Sequence, residues 1–143
     1  MKKLLALLLL ATACGGATSN PATPRAVARA SVDLAKDAWV MLANACVDAV
    51  QTTGDPSLVD SCGKPLEAAH DLIISAATAV DTNWNTSAAC ELQNATTLIA
   101  SALPLVVKTH PEVAPTVTDA VSAASLLAGL ACADLGPKDA GGQ

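Results

Sequence analysis

Two side chains in this sequence have a spacing that metal centres use. Glu67 and His70 stand three positions apart, so a helix would place a carboxylate and an imidazole on one face. Di-iron four-helix proteins use this pair twice and add a glutamate from each of two further helices. Because the pair occurs once here, we interpret Glu67 as solvent-facing and His70 as a boundary residue. We expect no metal site and no cofactor.

The other residues capable of acid–base or nucleophilic chemistry do not form a recognised catalytic set. The chain has no Gly-x-Ser-x-Gly element, and its only histidines are His70 and His110. A reactive cysteine would need a positively charged neighbourhood, and the sequence has no basic cluster. We therefore predict no catalytic residues and a protein that is not an enzyme.

The charge of the chain argues against a nucleic-acid partner. The formal net charge is −5, and without Lys2 and Lys3 six basic and thirteen acidic residues remain, about −7. Nucleic-acid binding needs cationic surface for the phosphates, and single strands also need stacking aromatic residues. Two tryptophans are the only aromatic residues of the FWY class.

The first fourteen residues have the three parts of an export signal. Met1-Lys2-Lys3 is a short positive segment, an apolar segment runs from residue 4 to residue 10, and Ala11-Thr12-Ala13-Cys14 follows. This ending resembles the lipobox of bacterial lipoproteins, although Ala11 stands where that family usually has leucine. The resemblance implies that residues 1–13 are a lipoprotein signal peptide. It also implies that Cys14 receives a diacylglyceryl group, palmitate being a typical acyl chain, and becomes the first residue of the mature protein.

Residues 14–24 follow as a lipidated cysteine and a flexible tether, rich in glycine and proline, that could extend to roughly 30 Å. The membrane is therefore an expected partner, through the N-terminal lipid. Gly15 stands where an aspartate would signal retention in the inner membrane, which favours the outer membrane. An alternative stays open, because Ala11-Thr12-Ala13 also suits an ordinary signal peptidase. In that case the protein is secreted or periplasmic and Cys14 is unmodified.

Apolar residues recur every three or four positions over four later segments, which predicts amphipathic helices. The first covers about 25–52 and stops at Thr53-Gly54. Asp55-Pro56 predicts a short helical turn, followed by a break or kink at residues 63–65 and a main helix over 65–81. Asn85 or Thr86 caps the third helix, which Pro104 kinks or shortens. The fourth helix covers about 116–135.

The expected core is made of small aliphatic residues, since the chain has no phenylalanine and no tyrosine. The residues predicted to face inward are Val27, Leu34, Ala38, Met41, Leu42 and Ala45; Leu66, Ala69, Ile73, Ala76 and Val80; Leu92, Ala95, Ile99, Leu103 and Val106; and Val117, Val121, Ala124, Leu127 and Ala131. With short connections, these helices predict an all-α, antiparallel up-down four-helix bundle with two disulfides over residues 25–136, followed by a disordered tail at 137–143.

The bundle topology predicts how four of the five cysteines pair. Cys46 ends the first helix and Cys62 precedes the second, so both lie at one pole of the bundle. Cys90 opens the third helix and Cys132 closes the fourth, so both lie at the other pole. We predict Cys46–Cys62 and Cys90–Cys132, because other pairings would join opposite ends of roughly 20 Å helices.

Two surface features bear on function. Trp39 lies near the core boundary, whereas Trp84 lies in a polar loop, where it is either a candidate partner contact or a cap on the open end of the bundle. Ser125 and Gly129 give the fourth helix a small-residue face, suited to close packing within the chain or to a dimer seam.

We therefore expect a non-catalytic, membrane-anchored lipoprotein of the bacterial envelope, acting as a protein-interaction or structural module whose partner is another envelope protein or itself. The alternative is a carrier that holds a small apolar ligand or lipid in the bundle core.

Overall fold

The computed structural model describes residues 24–134, which form four α-helices. They are α1 (Pro24–Thr53), α2 (Lys64–Thr82), α3 (Thr86–Val106) and α4 (Val113–Asp134), and a π-helical turn (Val59–Gly63) leads into α2. This confirms the all-α antiparallel bundle with two disulfides. The predicted signal peptide, Cys14 and the predicted tail lie outside the described residues.

Alanine determines how the helices pack. Helices α1 and α3 each contact both α2 and α4, and they also contact each other across the centre of the bundle. In the described part of the chain, α2 and α4 share no contact. The buried alanines of α1 and α3 are Ala28, Ala35, Ala38, Ala45 and Ala49, and Ala88, Ala89, Ala95 and Ala102. Because a methyl side chain takes little room, the two backbones can approach closely enough to meet across the diagonal.

The two faces of α2 are those that the sequence predicts. Its buried residues are Leu66, Ala69, Ile73, Ala76 and Val80, the five predicted to face inward. Glu67 and Asp71 lie on the opposite face and are exposed. A regular period of three and four residues, with one apolar stripe of uniform width, was enough to define this helix.

The six residues of α1 predicted to face inward are buried to different depths. Ala38, Leu42 and Ala45 are buried as predicted, but Val27, Leu34 and Met41 are only half-buried. The deepest positions hold smaller residues instead, and even Ser31 is buried, where its hydroxyl donates to the Val27 carbonyl at 2.9 Å. Most of the deeply buried positions of α1 hold alanine or serine, with Leu42 as the large side chain among them, whereas Leu34 and Met41 pack against the core from its edge.

The same effect changes the core positions of α3 and α4. On α3, Ala102 is fully buried, whereas Leu103, predicted to face inward, is half-buried. On α4 the buried residues are Val117, Ala124 and Ala128. The predicted inward residues Val121, Leu127 and Ala131 are half-buried.

Two of the predicted helix ends are confirmed by their hydrogen bonds. Helix α1 ends before Gly54, whose φ of 66° is open to glycine without steric cost and whose N–H donates to the Val50 carbonyl at 2.9 Å. Of the two candidate caps of α3, Asn85 is the one used, since its side chain accepts the Ala88 N–H at 3.0 Å.

Of the break or kink predicted at residues 63–65, the break is absent. Gly63 has helical dihedral angles, and a π-helical turn over Val59–Gly63 continues directly into α2. Pro65 has no N–H to donate and its ring crowds the preceding turn. A wider turn before Pro65 relieves this crowding, so the chain continues as a helix without a break.

The remaining prolines lie near helix ends. Pro104 lies inside α3, which continues to Val106, the last residue of its predicted inward pattern, so the helix is not shortened. Helix α4 begins at Val113, three residues earlier than predicted, and includes Pro115. Proline is tolerated there because the first N–H groups of a helix have no partner inside it.

We expect a larger side chain at Ala38 to force α1 away from its neighbours. Ala38→Leu should lower the free energy of unfolding by about 1–3 kcal/mol through overpacking. Ala30→Leu is the matched control, because Ala30 is on the same helix and exposed. Urea unfolding followed by circular dichroism measures both variants, and equal stability of the two would contradict the close approach of α1 and α3.

Candidate functional site: the Trp39 groove and the Trp84 pole

Both predicted disulfides are confirmed. Cys46–Cys62 joins the end of α1 to the π-helical turn, with the two Cα atoms 6.3 Å apart. Cys90–Cys132 joins the start of α3 to the end of α4, with the Cα atoms 4.9 Å apart. The bridges close opposite poles of the bundle, so the surfaces between the helices are held in a fixed shape.

Trp39 is fixed in the seam between α1 and α2. Its indole N–H donates to the Leu66 carbonyl at 2.7 Å, and its ring packs on the ring of His70, with centroids 4.6 Å apart and planes tilted by 36°. The side chain of His70 is 43% exposed. The indole of Trp39 is half-buried, its N–H is hydrogen-bonded, and the imidazole covers part of the ring. It is therefore a rigid apolar element that solvent can still reach.

A cavity of about 200 Å³ lies beside this ring pair. Its walls include Val32, Ile73 and Ala77, and Asp33 and Lys36 form a polar edge. A second depression lies on the other side of Trp39, lined by Ala43, Cys46, Val47, Gly63, Leu66 and Glu67 with Trp39 and His70. We call the two depressions together the Trp39 groove. Its surroundings are apolar, since Val47 is 56% exposed and Ile74 51% exposed.

Glu67 and His70 do not come together with further ligands. Glu67 is exposed, and the charged group recorded nearest to His70 Nδ1 is the Asp71 carboxylate, 3.8 Å away. Within residues 24–134, no three side chains of the His, Cys, Asp and Glu types are grouped so that they could hold a metal ion. The imidazole of His70 therefore contributes to the Trp39 groove by packing.

Trp84 lies at the pole where α1 begins and α4 ends. It is half-buried and packs against the core, as a cap of the bundle end would. The same ring lines a surface groove between α1 and α4, together with Pro24, Val27, Ala28, Ser31, Leu127, Leu130 and Ala131. We call this end of the molecule, residues 24–31, 80–90 and 126–134, the Trp84 pole. Whether Trp84 contacts a partner stays a prediction.

The two arginines of the protein hold the end of α2 at this pole. Arg25 Nε donates to the Val80 carbonyl at 2.8 Å, and another guanidinium nitrogen donates to the Asp81 carbonyl. Arg29 forms a salt bridge with the Asp81 carboxylate. Helix α2 has no basic residue in its own last turn, so α1 supplies the cations that its carbonyl end favours.

The outer face of α4 is apolar. Leu126 is 65% exposed and Leu130 60% exposed, one helical turn apart. By length and composition, Val113–Ala133 is the one helix of the described chain that could cross a membrane, and only 17% of this window is buried. Gly129 packs closely on α3, because a Cβ atom there would come within 3.1 Å of the side-chain amide nitrogen of Gln93, and whether the small-residue face also forms a dimer seam stays a prediction.

The α3–α4 connection contains the second histidine. His110 Nδ1 donates to the Glu112 carboxylate at 3.1 Å, and Nε2 is buried without a hydrogen-bond partner among the described residues. The pKa of Glu112 lies below its usual value, because its carboxylate accepts its own backbone N–H and, secondly, the bond from His110. This pair orders the connection.

No known family model matches the chain, and no curated protein or solved structure shows detectable similarity to it. The residues of the chain are therefore the basis of the functional proposal. The sequence pointed to Trp84 but missed the Trp39 groove, which needs Trp39 and His70 from two different helices. Val40 and Val47, two exposed apolar residues that follow Trp39 on α1 outside the predicted core face, were the available signal.

We expect the packing of His70 on Trp39 to be visible in fluorescence. His70→Ala, in a Trp84→Phe background that leaves Trp39 as the only tryptophan, should shift the emission to longer wavelengths and increase quenching by acrylamide, because one face of the indole becomes wet. His110→Ala is the control, since His110 lies in the α3–α4 connection. Unchanged emission in the His70 variant would contradict the ring contact.

We also expect Arg25 to stabilise the bundle through the end of α2. Arg25→Gln should lower the free energy of unfolding by about 1 kcal/mol, as a cation at a helix C-terminus does. Lys36→Gln removes the same charge from α1 without touching this helix end. Equal losses in urea unfolding would assign the effect to net charge instead of to the carbonyl groups.

Proposed function

We propose that this protein is an exported, lipid-anchored domain of the bacterial envelope that binds another protein through the Trp39 groove and performs no catalysis. The observation that carries the export of the domain is the pair of disulfides. Disulfides form and persist in oxidising compartments, outside the cytosol. Four cysteines pair at the poles of the bundle, which leaves Cys14, directly after the predicted signal peptide, as the fifth.

The shape of the Trp39 groove supports a protein partner. Protein interfaces have an apolar centre surrounded by polar groups, and tryptophan is enriched among the residues that dominate binding. Here Trp39 and Ile73 stand at the centre, and Asp33 and Lys36 at the edge. A depression of about 200 Å³ has room for one or two apolar side chains. The disulfide at Cys46 holds one end of the groove in place before any partner arrives, which lowers the entropic cost of binding.

A carrier of a small apolar molecule is the second candidate, and the same cavity favours it. Sites for drug-sized ligands occupy roughly 300–1,000 Å³, whereas an engineered cavity of about 150 Å³ holds benzene. A volume of about 200 Å³ therefore suits a molecule of that smaller size. Native mass spectrometry of the protein extracted from membranes separates the two candidates, because a carrier would retain a small apolar mass.

The anchor is tested by the mass of the mature protein. Extracted in mild detergent, it should begin at Cys14, carry added acyl chains, and weigh four hydrogens less than the reduced chain because of its two disulfides. Cys14→Ala should lose the added mass and leave the membrane fraction. An unmodified mature chain in the soluble fraction would replace the anchored protein by a secreted or periplasmic one. Fractionation of the two membranes tests the outer-membrane location that Gly15 favours.

The protein partner is tested by photo-crosslinking in the envelope. A benzophenone side chain in place of Ile74, which lines the groove, should give a discrete crosslinked adduct to another protein or to a second copy. The same side chain in place of Thr118 is the control, since Thr118 is exposed on α4 and α2 shares no contact with α4. Adducts from both positions, or from neither, would contradict binding through the Trp39 groove.

A further inference from the structure

The tether to Cys14 determines which part of the bundle can reach a membrane. Ten residue steps separate Cys14 from Pro24, where α1 begins, and a fully extended chain of that length spans at most about 36 Å. Helix α1 has 30 residues and is therefore about 45 Å long. If Cys14 is in a bilayer, the start of α1 stays near it, and the pole that contains Pro24 is the end closest to the lipid.

The surface of this pole is apolar and contains an aromatic ring. Trp84 lines one groove with Pro24 and Leu130, and Leu130 is 60% exposed. Leu126, one turn before Leu130 on α4, is 65% exposed. These are the two most exposed large apolar side chains of residues 24–134. Tryptophan and leucine in such a position are typical of a surface that lies in the headgroup region of a bilayer, where the indole has one apolar and one wet side.

Charge distinguishes the two ends of the bundle. Both arginines of the chain, Arg25 and Arg29, lie at the Trp84 pole, and the side chain of Arg29 is 56% exposed. Asp81 lies at this pole, and Glu91 follows one residue beyond its boundary. The opposite end carries five carboxylates against two lysines: Asp48, Asp55, Asp60, Glu67 and Glu112, with Lys64 and Lys108. An anionic lipid surface therefore repels the far end of the bundle more strongly than the Trp84 pole.

We propose that the Trp84 pole docks on an anionic bilayer, with Trp84 and Leu130 among the headgroups and with Arg25 and Arg29 facing lipid phosphates. This inference rests on the proposed anchor at Cys14, and it adds an orientation that the anchor alone does not fix. Guanidinium groups keep free N–H donors while they bind the end of α2, because each has five. The docked pole buries the apolar end of α4 that the bundle itself leaves uncovered.

The test uses the mature chain with its acyl groups, reconstituted into vesicles of phosphatidylcholine and phosphatidylglycerol with brominated acyl chains. Bromine quenches nearby indoles, and the emission of Trp84 is the difference between wild type and Trp84→Phe. We expect Trp84 to lose most of its emission relative to unbrominated vesicles. Trp39, the only tryptophan of the variant, should keep its emission, because it lies 15 residues along α1, about 22 Å from Pro24.

Two comparisons separate docking from tethering alone. Leu130→Ser should weaken the quenching of Trp84, whereas Val59→Ser, at a similarly exposed residue of the π-helical turn at the far end, should not. Circular dichroism confirms that the variants are folded. Vesicles of phosphatidylcholine alone should give weaker quenching of Trp84 than anionic vesicles. Equal quenching in both would contradict the proposed contact of Arg25 and Arg29 with anionic lipid.

The outcomes also separate this inference from the anchor. If the vesicles float with the protein but Trp84 is not quenched, the anchor stands and docking by the Trp84 pole is wrong. If Trp39 is quenched as strongly as Trp84, the bundle lies on its side and the proposed orientation is wrong. If the protein does not float with the vesicles, the proposed anchor is wrong, and the docking that rests on it is wrong as well.

Discussion

The close approach of α1 to α3 is the constraint on which the rest of this bundle depends. Without phenylalanine or tyrosine, the core gains its apolar area from many small groups, and alanine methyls contribute little area each. Such a core is stable only when it is dense, so the central helices must meet across the diagonal. The two disulfides then stabilise both poles, by roughly 3 and 4 kcal/mol from loop closure.

The same constraint moves large side chains to the outside of the bundle. Alanine occupies many of the deepest positions of α1, and side chains such as Leu34 and Met41 pack against the core from its edge. Both tryptophans are half-buried, Trp39 at the seam of α1 and α2 and Trp84 at a pole. A bundle built this way keeps both indole rings where a protein partner or a lipid surface can reach them. This links its unusual core composition to the binding that we propose at its surface.

The sequence predicted most where a single helix decides the outcome. The faces of α2, a cap at Asn85 or Thr86 and the cysteine pairs follow from local spacing and from the order of the helices. The inward residues of α1 and α4 were predicted less well, because the choice between Ala128 and Leu127 depends on the distance to other helices. The π-helical turn before Pro65 was missed because two ways to accommodate a proline, a break and a wider turn, look alike in sequence. The Trp39 groove needs the relative position of two helices.

The two proposed surfaces are compatible because they lie at different heights along α1. In the proposed docking, a pole held within about 36 Å of Cys14 would bring Trp84 to the lipid. Trp39 lies about 22 Å along α1 from Pro24, beyond the roughly 5–10 Å to which an apolar face enters the headgroup boundary. The acidic far end would then point away from the anionic surface, and the Trp39 groove would stay open to the side, where its proposed partner is a second molecule and not the membrane.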